Sequence, residues 1–307
     1  TFGKNFTTIK NTNMQSPYKK VIVYDLETGG FDPKTNAITE IAMVVIDLDT
    51  LKIEDTFNVI IKPHFDLEYR LGDSLKEARA IFKAVATKDG ETKLSTITYK
   101  GKVHTIKDLD PIVEDIALFD EKLEALGTTF NYDQILKLEG NSKIGDVAKL
   151  YFDKTYNPQA LNVTHMTREM LVNEGIDLAD ATDQAAAFIK KYTIGNAKPI
   201  LAGHNIKKFD NPFLEKMFET GGYNLYKAIC DTQMIDTLEW ARLRWFDAPS
   251  FALGVCANAV GVELKEAHRA LPDTEANAEF LIKMLKGLRG EGTQESTYEK
   301  RKFNFNF

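Results

Sequence analysis

Apolar and polar positions along the chain fall into blocks with two different periods. Val21-Ile22-Val23-Tyr24 is a run of β-branched and aromatic residues that predicts a buried strand over about 20–26. Ile38 to Ile46 reads as a second strand and Ile53 to Ile61 as a third, and the short link at 47–52 suits an antiparallel hairpin. Beyond residue 66 the texture turns helical. Leu67–Ala86 and Ile112–Leu126 carry helical spacing, the latter opened by Asp110-Pro111 with proline at a helix start. Leu94–Tyr99 and Val103–Ile106 form a hairpin about Lys100-Gly101, and Ile144–Phe152 is a short helix. From Tyr156-Asn157-Pro158 onward, helices are expected at Met166–Glu174, Ala179–Tyr192, Pro212–Thr220 (closed by Gly221-Gly222), Phe251–Val260 (capped by Ser250) and Pro272–Leu288. Strands are expected at Pro199–Ala202 and Ala228–Asp231. A three-strand meander followed by alternating helices and strands is the layout of an α/β sheet.

The changes of texture divide the chain. Residues 1–18 read as a loose polar arm, 19–65 with 156–290 as the main domain, 66–155 as an inserted α+β subdomain, and 291–307 as a polar tail. The insertion contains no repeat and no low-complexity tract. The tail ends in Phe303-Asn304-Phe305-Asn306-Phe307, which reads either as a disordered end or as a docking peptide for a replication partner.

Composition narrows the class. The 307 residues are 43% hydrophobic and 27% charged, sufficient to bury the core of one large domain or two ordinary ones. The longest apolar run, Ile41 to Ile46, is far too short to span a bilayer, and the polar N-terminal segment lacks the apolar stretch of a signal peptide. Cys230 and Cys256 have no metal-site spacing and form no disulfide framework, which fits a reducing, cytoplasmic setting without a membrane partner. A formal net charge of −6 argues against a protein that coats nucleic acid by electrostatics. It leaves room for a metal-dependent enzyme acting on phosphates, whose acids are neutralised when metal binds. Neither a G-x-x-x-x-G-K-[ST] loop nor a G-x-G-x-x-G strand–turn–helix is present, so triphosphate hydrolysis and dinucleotide redox chemistry lack their usual signatures.

Three stretches carry candidate chemistry. In the first, Asp25 and Glu27 leave the end of the opening strand on the same face, followed by Thr28-Gly29-Gly30-Phe31. Two adjacent acids ionise cheaply only around a cation, although a D-x-E pair alone reads more readily as a solvated strand end. The second runs from His204-Asn205 through Lys207-Lys208 to Phe209-Asp210, from a strand end into a helix, where ligands commonly meet α/β sheets. Here Asp210 reads equally as an N-cap, Asn205 as a turn residue and the two lysines as a solvated pair. In the third, His268 precedes Asp273 by five residues across a helix start. Singly these are a surface histidine and a first-turn acid favoured by the helix dipole.

As an ordered set, Asp25-x-Glu27, His204-Asn205…Phe209-Asp210 and His268-x4-Asp273 resemble the three motifs of the DEDDh, or DnaQ-like, 3′–5′ exonucleases. The resemblance covers about 20–62 and 156–288. It implies an α/β, ribonuclease-H-like fold: a mixed five-stranded sheet flanked by helices. It implies two Mg²⁺ (or Mn²⁺) ions, Asp25 bridging them, Glu27 and Asp273 completing the first site, and Asp210 holding the second through water. His268 is implied as the general base, a role its ordinary pKa suits. Two metals would supply hydroxide and relieve charge on the attacking and leaving oxygens. By the same analogy Thr28, Gly29 and Gly30 meet the terminal nucleotide and Phe31 stacks on its base, against core packing as the plain alternative for Phe31. His204 and Asn205 join the substrate-binding set.

Two departures refine the resemblance. Three residues separate Asn205 from Phe209, one more than in proofreading subunits, as in TREX-type and exonuclease I-type members that favour single-stranded DNA. In Thr164-His165-Met166-Thr167, His165 stands where the family has glycine. The expected activity is release of nucleoside 5′-monophosphates from single-stranded DNA 3′ ends. The rivals are an exoribonuclease of the oligoribonuclease or ribonuclease T kind and a non-catalytic nucleic-acid-binding or replication accessory subunit. The intact acid–histidine set argues against the second rival. The insertion at 66–155 or the tail is the expected docking place for a polymerase or replication partner.

Overall fold

The computed structural model describes residues 17–65, 97–99, 102–104, 115, 117–119, 121–122, 125, 132–141, 144–264 and 268–291. The arm up to residue 16, the expected helix at Leu67–Ala86, much of the one at Ile112–Leu126 and the tail from 292 lie outside the described residues.

Five strands form one mixed sheet. They are β1 (Lys20–Thr28), β2 (Ile38–Asp47), β3 (Lys52–Ile60), β6 (Ile200–Gly203) and β7 (Met234–Asp236), in the order β3-β2-β1-β6-β7. β1, β2 and β3 are an antiparallel meander, while β6 and β7 add on parallel to β1. A separate hairpin pairs β4 (Ile97–Tyr99) with β5 (Lys102–His104), the described part of the one expected there.

Period-two alternation decides which way each side chain of β1 points. Ile22, Tyr24 and Leu26 face one layer, where Ile41, Met43 and Val45 of β2 join helices α5 (Leu178–Lys191) and α6 (Asp210–Thr220) through Ala181, Ala185, Ile189, Phe213, Leu214 and Met217. Val21 and Val23 face the other, packing with Val44, Ile46 and the long helix α9 (Ala270–Leu288) through Ala278 and Leu281. Both faces are covered, so the central strands read as continuous apolar runs. On the α9 face the sequence of β1 then changes from valine to acid, at Asp25 and Glu27.

The remaining helices are α1 (Tyr132–Glu139), α2 (Gly145–Thr155), α3 (Pro158–Val163), α4 (Arg168–Glu174), α7 (Thr237–Arg244) and α8 (Leu253–Ala259). α1, α3 and α7 were not expected. The start of α3 is nonetheless written in Asn157-Pro158: the asparagine side chain accepts from Gln159 N–H and the proline occupies the first helical position.

Two expectations are corrected. Residues 228–231 are not a strand: Leu225–Ile229 is a π-helical turn, and the edge strand is Met234–Asp236. A three-residue apolar run does not distinguish strand from helical turn, and Ile229 and Cys230 are buried among the α5 and α6 side chains rather than in the ladder. Nor does Ser250 cap a helix at Phe251. Its hydroxyl accepts from Ala252 N–H at 3.3 Å, closing a local turn, and α8 starts at Leu253.

Candidate active site

β6 ends at Gly203, opposite Val23–Tyr24, while β1 runs on to Thr28. The backbone of β1 beyond that point therefore has no parallel partner, and Leu26 N–H donates instead to Asp210 Oδ1 at 3.2 Å. Asp210 is the first residue of α6 and nearly fully buried; its carboxylate reaches across to β1 rather than capping its own helix. From the opposite side, α9 brings Asp273 in its first turn beside the two β1 acids. Asp25, Glu27 and Asp273 each offer a carboxylate oxygen within 4.8 Å of the others. Asp210 stands outside that triplet but is the charged group that acts most strongly on Asp25.

His268 sits just before α9, exposed and in the left-handed region at φ 69°, and its backbone N–H donates to Asp273 Oδ2 at 3.0 Å. Its ring acts electrostatically on Asp273, so base candidate and acid share one corner.

The second stretch is organised from beneath. Asp236, buried at the end of β7, accepts from Asn205 N–H at 2.9 Å, Lys207 N–H at 3.3 Å and Leu238 N–H at 3.0 Å. It shapes the loop and caps α7 together. Asn205 takes a left-handed conformation at φ 65°, where asparagine is better tolerated than most residues. His204 points inward: Nε2 donates to the Phe251 carbonyl at 2.8 Å, and Nδ1 lies 3.0 Å from the Thr237 hydroxyl. Burial lowers its pKa, favouring this neutral ring. Both nitrogens are engaged within the protein, so the ring ties two loops rather than presenting itself to substrate. Lys207 pairs with Glu239 at 2.6 Å.

The turn after Glu27 is held just as firmly. Gly29 N–H donates to the Ala37 carbonyl at 2.8 Å, and its own carbonyl accepts from Asn157 N–H at 2.8 Å. A Cβ on Gly29 would lie 2.2 Å from the Thr155 carbonyl oxygen, which explains the glycine. Thr28 donates its hydroxyl to the Gly30 carbonyl at 2.7 Å. Phe31 is 87% exposed, so it is not core; its ring leans on Phe209 at a centroid distance of 5.8 Å. His165 adopts φ 55°, so the loop keeps a glycine-type conformation without the glycine.

Electrostatically the acids are held against their will. Burial pushes the Asp25 carboxyl well above the carboxylate range, with Asp210, Glu27 and Asp273 adding repulsion. Glu27 is pushed up to about 8 by burial and then by Asp273, Glu40 and Asp210, with Arg269 opposing. Asp210 is raised to about 7, mainly by burial, against its hydrogen bond from Leu26. Burial raises Asp273 too, and Asp273 Oδ1 is buried without a hydrogen-bond partner among the described residues. Unpaired buried carboxylate oxygens in an all-oxygen cluster are what a hard divalent cation satisfies, so the residues fit Mg²⁺ or Mn²⁺.

Glu40, Arg269, Asp236 and Thr237 belong to this constellation and were not anticipated. Asp236-Thr237 had a signal, an N-cap acid at a strand-to-helix switch. Glu40 had none: it reads as one polar position in a strand.

Comparison with known proteins places the geometry. The RNase T family profile, described as Exonuclease, matches residues 22–97 and 123–281. A DNA polymerase III PolC-type protein of Staphylococcus aureus is 30% identical over 206 residues, covering 64% of this chain and 13% of that protein. Among solved structures, E. coli exonuclease I in a zinc-bound complex with single-stranded DNA has TM-score 0.53 at 15% identity, covering 89% of this chain and 41% of that one. The same enzyme with a dT13 oligonucleotide gives 0.52 at 15%, covering 89% and 43%. At that identity the likeness is one of fold: the ribonuclease-H-like mixed sheet with flanking helices. The chain spans only a minor part of each of these relatives.

Proposed function

Since the chain belongs to the exonuclease family, we propose that it hydrolyses nucleotides from the 3′ ends of single-stranded DNA. The observation that carries this reading is the meeting of Asp25, Glu27 and Asp273 within 4.8 Å, with one buried oxygen on Asp273 that has no partner among the described residues. Asp25, Glu27 and Asp273 would hold one divalent cation and Asp210, with Asp25, a second. When bound, such a pair supplies a nucleophile at neutral pH and offsets charge on the attacking and leaving oxygens. His268, exposed beside Asp273, takes the proton of the attacking water at its ring nitrogen. Phe31, exposed on the rim, stacks on the terminal base, a contact that tolerates any base. His204 serves as a tie beneath the loop, and Asn205, half-buried in that loop, stays in the substrate-binding set. The preference for single strands rests on the three residues between Asn205 and Phe209, and the exonuclease I complexes with single-stranded DNA support it.

The test is a 5′-labelled single-stranded oligonucleotide with Mg²⁺ or Mn²⁺, with chelator and Asp210→Ala as controls. A ladder shortening from the 3′ end, absent in both controls, is expected. Cleavage of the matching RNA but not of DNA would overturn the substrate assignment, and cleavage of neither would overturn the activity. No helix of the described residues is long and apolar enough to cross a membrane. A cytoplasmic site of action, and replication partners reached through 66–155 or the tail, belong to the same proposal.

A further inference from the structure

Glu40 lies directly opposite Glu27 across the β1–β2 ladder, just after the register shift that leaves Thr39 unpaired. Like charges directly opposite one another destabilise a strand pair, and Glu40 is fully buried. Its carboxylate is nevertheless saturated. Arg269 Nε donates to Oε2 at 3.0 Å and Arg269 Nη2 to Oε1 at 3.1 Å, a two-pronged pair. Ala270 N–H donates at 3.3 Å and Asn58 Nδ2 at 3.1 Å. Glu40 thus does from a neighbouring strand what the start of α9 lacks locally, since Arg269 occupies the cap position and makes no side-chain cap bond.

The consequence lies one residue upstream. His268 is in the left-handed region, a conformation that costs a residue with a side chain about 1 kcal/mol or more and persists only where its surroundings enforce it. On its C-terminal side Arg269 is extended and Ala270 is helical, and both are fixed to the same carboxylate. We infer that the Glu40–Arg269 pair positions His268 over the acid cluster, making Arg269 a positioning residue of the reaction; this rests on the exonuclease reading above. The planar fork of the guanidinium is what the geometry uses, so lysine, with the same charge, does not replace it.

The experiment compares Arg269→Lys, Glu40→Gln and their double variant on a 5′-labelled oligonucleotide with Mn²⁺, alongside the histidine side-chain NMR signals of metal-free protein. The His268 signal is assigned with His268→Gln. Each single variant should lower kcat by about tenfold or more while KM stays within about twofold, and the double variant should be no worse than the worse single. The His268 signal should shift or broaden in both. Wild-type kcat in Arg269→Lys, or losses that multiply in the double variant, would overturn the inference. If Arg269→Lys does not fold, Glu40→Gln carries the same comparison. If wild type cuts nothing, the exonuclease reading has failed separately. An unmoved His268 signal in Glu40→Gln would then overturn the positioning as well.

Discussion

Replacing Glu27 by glutamine should stabilise the metal-free protein at neutral pH while removing its activity. Glu27 is 9% exposed, and its carboxyl is pushed from 4.5 up to about 8 by burial and by Asp273, Glu40 and Asp210. Between those two values the folded protein keeps the Glu27 proton and the unfolded chain has lost it. Stability therefore falls as pH rises, by about 1.4 kcal/mol per unit. The favourable contribution is whole below pH 4.5 and gone above about 8. From pH 5 to pH 7.5 the loss comes to about 3 kcal/mol. Glutamine, nearly isosteric with the protonated acid, does not titrate. Glu27→Gln and wild type should therefore melt together near pH 5 in chelator, and the variant about 6 °C higher at pH 7.5. Divalent cation should close most of the gap. Wild type gains about 2.7 kcal/mol at a hundredfold excess over Kd, and the variant, lacking the anionic ligand oxygen, gains less. Melting curves over pH 5–8, with chelator and with Mg²⁺, read all of this. Coincident curves at pH 7.5 in chelator would refute the electrostatic account of the cluster.

Two further substitutions probe the turn after Glu27. Phe31→Ala should leave the melting temperature unchanged, since the ring is 87% exposed, but raise KM for single-stranded oligonucleotides by about tenfold, in line with stacking worth about 1–3 kcal/mol. Steady-state kinetics decide it, and an unchanged KM removes Phe31 from the substrate contacts. Gly29→Ala places a methyl group 2.2 Å from the Thr155 carbonyl and should cost about 1–3 kcal/mol of stability, read as a lowered denaturant midpoint. An unchanged midpoint would mean the turn has more room than the packing indicates.

Much of the fold was legible because β1 and β2 are buried on both faces and carry the apolar runs Val21–Tyr24 and Ile41–Ile46, a signal that survives without context. Legibility failed where the run was short. Ala228–Asp231 looks like a strand until Met234–Asp236 is seen occupying the edge. In the site, Asp25, Glu27, Asp210, His268 and Asp273 could be picked out as an ordered set, but what each touches could not. His204 was singled out with the substrate residues, and its ring is instead bonded to Phe251 and Thr237. Glu40 is the converse: within Thr39-Glu40-Ile41 it is an ordinary polar strand position, and only the register opposite Glu27 and the approach of Arg269 give it a part.

That difference has a physical source in the topology. An acid can be recognised in sequence when it interrupts a local pattern, as Asp25 interrupts the valines of β1. An acid whose partners come from more than two hundred residues away, as Arg269 does to Glu40, leaves no local trace. The site needs both kinds. Two of its acids come from β1 where β6 has already ended, and two are borne on the first turns of α6 and α9, whose positive ends offset part of the repulsion. Glu40 adds a fifth acid to that corner, and the arginine it holds brings a positive charge beside the strand pair. Two helix starts and one guanidinium offset part of the repulsion among these acids, and protonation or a bound cation takes the rest. The helix starts and the guanidinium are backbone and salt-bridge arrangements that the folded chain, and not the local sequence, supplies.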